Sequence, residues 1–112
     1  MATLLKKKEP HATCLNLDKV AAKIRQRRRQ ILVHSYLYYD LDESIVSDDT
    51  WSRWAKELAA LQVRFPNVAK KVEFNETFRE FDGSTGFDLN YRDESIINAA
   101  HRTLNYHKSL GR

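Results

Sequence analysis

The sequence predicts an all-α domain: a helix–loop–helix hairpin and a C-terminal helix, with an irregular segment or short β-hairpin between them. Three observations lead there. Only three Gly and two Pro occur in 112 residues, too few for the many tight turns of a β-sandwich. Trp51, Trp54, Ala55, Leu58, Leu61 and Phe65 follow the three-four spacing of a helix, with Arg53, Lys56, Glu57 and Gln62 mostly off that stripe. Apolar residues form 42% of the chain and charged ones 30%, the balance of a single folded domain with a modest core.

Residues 1–15 have no sustained periodicity and contain Pro10, so they read as a mobile basic lead-in to a domain covering 16–112. Asn16 or Asp18 is an expected N-cap, and Leu17, Val20, Ala21, Ile24, Ile31 and Tyr38 define a first helix over about 17–39. An acidic loop of about ten residues, Asp40 to Asp49, then leads to the second helix. Ser47 or Asp48 can cap it, Asp48 and Asp49 complement its dipole, and Pro66 stops it. The two helices should pack antiparallel. Residues 67–92 carry Phe74, Phe78, Phe81 and Phe87 with two glycines, the pattern of an ordered loop or short hairpin. From Asp93, an N-cap, Ile97, Ala100, Leu104 and the stem of His107 give a last helix closing at Gly111.

Several function classes are excluded by composition. The one cysteine, Cys14, cannot form an internal disulfide and has no activating neighbours in sequence. No signal-peptide core and no run near ~18 apolar residues occurs, so a soluble, cytoplasmic protein with no membrane partner is expected. His34, His101 and His107 share no helix face that would make a zinc pair. The acidic loop offers Asp40, Asp42 and Ser44 at the first calcium-loop positions, but Ile45 stands at the glycine position and Trp51 at the final glutamate position. No metal is expected. No glycine-rich phosphate loop is present.

Charge is uneven along the chain. Lys6, Lys7, Lys8, Lys19, Lys23, Arg25, Arg27, Arg28 and Arg29 face only Glu9 and Asp18 in the first 30 residues, about +7, which leaves about −3 for the rest of a +4 chain. Lys6 to Lys8 and Arg25 to Arg29 are candidate phosphate contacts on DNA, or simply a solvated helix face. No aromatic residues interleave with the arginines to form a base-stacking platform.

The run Tyr36, Tyr38, Tyr39, Asp42, Ser47-Asp48, Trp51, Arg53, Glu57-Leu58, Leu61 and Pro66 resembles, without a gap, the small N-terminal domain of bacterial NAD-dependent DNA ligases. That domain recognises the nicotinamide mononucleotide half of NAD. The resemblance implies a cofactor-binding set of Tyr38 and Trp51 embracing the nicotinamide ring, Asp48 on polar groups, Tyr39 at a phosphate-assisting position, and Ser52 where the family has a second aspartate. It implies NAD or nicotinamide mononucleotide as ligand. The family's adenylation motif Lys-x-Asp-Gly is not met: Glu80 stands before Phe81-Asp82-Gly83, so ligation by these residues alone is excluded. The resemblance thus points to a stand-alone, non-catalytic relative of the recognition domain, of the kind a bacteriophage encodes. A protein-interaction module that modulates a host or phage protein, and DNA binding through the basic helix, stay open as alternatives.

Overall fold

A computed structural model describes residues 14–84 and 89–111. Within them lie three main helices, α1 (Cys14–Leu41), α2 (Asp48–Arg64) and α5 (Glu94–Gly111), and two single-turn helices, α3 (Pro66–Ala69) and α4 (Asn75–Phe78). The described residues contain no strand. The all-α expectation holds, and the described residues of the segment after α2 form turns and short helices, where an irregular segment or a short β-hairpin was expected.

α1 is longer than the periodicity indicated. It starts at Cys14, so Asn16 and Asp18 lie inside the helix and not at its cap. It ends where Asp42 takes a left-handed backbone (φ 56°), which an Asp tolerates better than most residues, and the Glu43 N–H donates back to the Leu37 carbonyl at 2.8 Å. The connection to α2 therefore needs only residues 42–47. Residues 1–13, which hold most of the expected basic lead-in and Lys6 to Lys8, lie outside the described residues.

One apolar stripe does not describe α1. Ile31, Leu32, Val33, Ser35 and Leu37 are all buried, whereas Tyr38, assigned to the stripe by spacing, is 54% exposed. Buried residues that close together cover most of a helix circumference, and α1 is accordingly packed on one side by α2 and α3 and on another by α5. Side-chain pairs run in opposite directions along α1 and α2, Arg28 meeting Gln62 and His34 meeting Trp54, so the hairpin is antiparallel as expected.

α2 begins where its sequence says it should. Ser47 accepts from the Thr50 N–H at 3.1 Å as N-cap, and Asp48 and Asp49 occupy the first turn. At the other end Phe65 leaves helical geometry and Pro66 opens α3, because proline lacks the N–H that α2 needs but suits the first turn of a new helix. α5 is capped by Asp93, whose carboxylate accepts from the Ser95 N–H at 3.0 Å. Its buried row is Ile96, Ala100 and Leu104, one register step from the expected Ile97 row, and His107 is exposed.

The basic turn is where charge meets the core. Arg28 has 0% exposure. Its Nε donates to Gln62 Oε1 at 2.9 Å and its Nη1 to the carbonyls of Val72 and Glu73 at 3.0 and 3.1 Å. Gln62 in turn donates to the Phe78 carbonyl at 3.0 Å. One guanidinium thereby ties α1 to α2 and to the turns after α3. Burial pushes its pKa down to about 10, which still leaves it charged at neutral pH.

Candidate functional site

Tyr38 and Tyr39 end α1, Asp48, Trp51 and Ser52 begin α2, and the short 42–47 loop folds between them. All five of these candidate residues line one cleft of about 360 Å³, a size that suits a small ligand. Helical geometry explains the convergence: Asp48, Trp51 and Ser52 lie three and four residues apart and share a face. The capped first turn fixes their direction, and the N-terminal end of α2 adds a partial positive charge there.

The cleft also uses residues the sequence did not single out. His34 and Ser35 form part of its lining, with Glu43, Ser44, Ile45, Val46 and Ser84. His34 and Ser35 precede Tyr38 and Tyr39 by four residues, the spacing that puts side chains on one helix face, and that is the signal that could have found them. Ser84 arrives from far along the chain. Gly83 makes this possible: it has φ 90°, and a Cβ on it would sit 3.2 Å from the Ala55 carbonyl oxygen, so only glycine lets the strand of chain lie on α2. Asp82 then accepts from the Ser84 N–H at 2.9 Å and from its hydroxyl at 2.6 Å. The Asp82-Gly83 pair is thus a packing turn beside the cleft.

The rings are held from behind. Tyr38 meets Tyr39 edge-on with centroids 4.9 Å apart, and Tyr39 stacks on Tyr91 at 5.8 Å and 16°. The Tyr91 hydroxyl donates to Asp40 at 3.3 Å, and Arg92 grips both oxygens of Asp40 at 2.7 and 2.9 Å. Those hydrogen bonds from Arg92 hold the Asp40 carboxyl below its usual pKa. On the other side, the His34 ring packs against Trp54 at 5.4 Å, and burial lowers its pKa, so the neutral imidazole is favoured.

The arginines are turned to internal use. Arg25 and Arg29 both pair with Glu73, at 3.2 and 3.1 Å, and Arg27 pairs with Glu57 at 2.8 Å while lying over the Trp54 ring. Arg28 is buried as described. The cluster that made a candidate DNA contact is therefore largely matched by carboxylates and carbonyls of its own chain. Among the described residues no group of His, Cys, Asp or Glu is arranged to hold a metal, and no helix is long and apolar enough to cross a membrane.

The helical hairpin gathers aromatic, hydroxyl and acidic side chains into one cleft. Residues 17–71 match the family described as the DNA ligase-like, N-terminal NAD+-binding domain. Over that segment the chain is similar to this family. A DNA ligase of Mycoplasmopsis pulmonis is 30% identical over 84 residues, which cover 74% of this chain and 12% of the relative. One from Cellvibrio japonicus is 41% identical over 49 residues, 44% of this chain and 7% of the relative. One from Roseiflexus sp. is 35% identical over 54 residues, 48% and 7% respectively. The matched region is thus a small fraction of each ligase. No solved structure matches the chain.

Proposed function

We propose that the chain is a nicotinamide-nucleotide recognition module that binds NAD, or its mononucleotide half, in the cleft between α1 and α2. The nicotinamide ring lies against the faces of Tyr38 and Trp51. Asp48, Tyr39 and Ser52 take the polar groups of the ribose and phosphate. The observation that carries this reading is the convergence of five residues, chosen by resemblance to NAD-dependent ligases, on a single cleft. A pyridinium is a flat cation, and aromatic faces attract flat cations at about 0.5–2 kcal/mol each. The chain contributes binding and no chemistry of its own: no lysine precedes Asp82-Gly83 to accept AMP. Its setting is phage or bacterial DNA metabolism.

Titration calorimetry with nicotinamide mononucleotide, NAD and AMP tests the reading. The first two should bind and AMP should not, and Trp51→Ala should weaken binding about tenfold or more, the loss of one ring face plus its apolar contact. Equal binding of AMP, or an unchanged affinity in Trp51→Ala, contradicts it.

A further inference from the structure

Two buried polar atoms of cleft-lining residues have no hydrogen-bond partner among the described residues. Ser35 is 2% exposed and its hydroxyl has no hydrogen-bond partner among the described residues; the same holds for the buried Nδ1 of His34. Both residues line the cleft, one turn of α1 before Tyr38 and Tyr39. Buried polar groups in folded proteins are nearly always satisfied, so two orphaned atoms on adjacent residues that both line one cleft mark a place where a ligand can supply the missing partners.

The two orphans differ in what they offer. A serine hydroxyl donates one hydrogen bond, and a neutral imidazole whose Nε2 carries the proton accepts one at Nδ1. Burial disfavours the imidazolium at His34, and in the neutral tautomer with its proton on Nε2 the Nδ1 is an acceptor. A donor and an acceptor on adjacent residues complement a primary carboxamide, whose carbonyl accepts and whose NH2 donates. They do not complement a carboxylate, which only accepts, and Asp48 and Glu43 on the same lining would repel its charge.

Resting on the nicotinamide-nucleotide reading of this cleft, we infer that Ser35 and His34 are its specificity residues: Ser35 Oγ donates to the carboxamide oxygen of nicotinamide, His34 Nδ1 accepts from the carboxamide nitrogen, and the pair rejects the nicotinic acid form of the ring. The ring carboxamide is then read by α1 while Trp51 holds the ring face, so affinity and amide selectivity reside in different side chains.

The experiment compares nicotinamide mononucleotide with nicotinic acid mononucleotide by calorimetry, on the full chain and on Ser35→Ala, His34→Phe and Trp51→Ala. Phenylalanine keeps a ring against Trp54 while removing both nitrogens, and circular dichroism checks that each variant folds. The unaltered protein should prefer the amide by about tenfold or more, because the acid leaves a buried acceptor unpaired. Ser35→Ala and His34→Phe should each shrink that preference several-fold, and Trp51→Ala should weaken both nucleotides alike. Equal affinity for the two nucleotides in the unaltered protein, or a preference that survives both α1 substitutions, overturns this assignment and leaves the cleft reading standing. Binding of neither nucleotide overturns both.

Discussion

Replacing Arg28 should cost more stability than replacing any other charged residue. The side chain donates three hydrogen bonds from a fully buried position, to Gln62 Oε1 and to the carbonyls of Val72 and Glu73. Arg28→Met preserves much of the apolar stem but leaves those three acceptors in the interior without donors. Each orphaned acceptor costs about 1–3 kcal/mol, partly offset because a desolvated guanidinium no longer has to be held. The net expectation is a loss of about 2–4 kcal/mol. Arg28→Ala adds a cavity and should lose about 4–5 kcal/mol, much of the ~5–15 kcal/mol stability of a typical domain. Urea unfolding followed by the fluorescence of Trp51 and Trp54 reads both values. A loss under about 1 kcal/mol for Arg28→Met would show that water reaches the Val72 and Glu73 carbonyls, and the buried-hub description would be wrong.

Other perturbations separate the remaining parts of the fold. Ser47→Ala removes the N-cap of α2 and should cost about 1 kcal/mol, whereas Ser47→Asp should keep most of it; equal losses would argue against the cap. Gly83→Ala meets both a positive φ and the Ala55 carbonyl and should cost about 1–2 kcal/mol or more, visible as a lower melting temperature. An unchanged melting temperature would mean the turn does not lie on α2. For His34, burial lowers the folded-state pKa below the ordinary 6.5, so the unfolded chain binds the proton first. The neutral ring's contribution is complete above pH 6.5 and is lost as pH falls through the folded value. His34→Phe should therefore lose less stability than the parent between about pH 7.5 and 5.5, and parallel pH profiles would contradict a desolvated His34.

Local signals carried the second helix almost whole. Ser47, the paired aspartates, the unbroken apolar stripe and Pro66 act over a few residues each, and its observed limits, Asp48–Arg64, follow them. The long-range features were harder to read. Arg28 occupies a stripe position between Ile24 and Ile31, four and three residues away, so its burial was written in the spacing, yet arginine there reads as solvated unless its acceptors are known. Two of those acceptors are backbone carbonyls more than forty residues on. The same contacts shape residues 70–81, which follow tertiary hydrogen bonds more than their own propensity. At α5, two adjacent isoleucines made the register ambiguous by one position, and the core selected Ile96. Resemblance found the five cleft residues. It could not find Ser84, because the Gly83 turn that delivers it lies outside the matched 17–71 segment, or the Tyr91–Asp40–Arg92 buttress, which joins α1 to residues beyond that segment.

Amide NMR of the 15N-labelled chain, titrated with nicotinamide mononucleotide to millimolar concentration, addresses the proposed site directly. Binding in the cleft should move the signals of Tyr38, Tyr39, Asp48, Ser52 and the Trp51 indole N–H, with saturation at a common affinity, and leave the Arg25–Arg29 turn and Glu73 unmoved. Shifts confined to that basic turn, or no saturable shift at any cleft residue, would contradict nicotinamide recognition between α1 and α2.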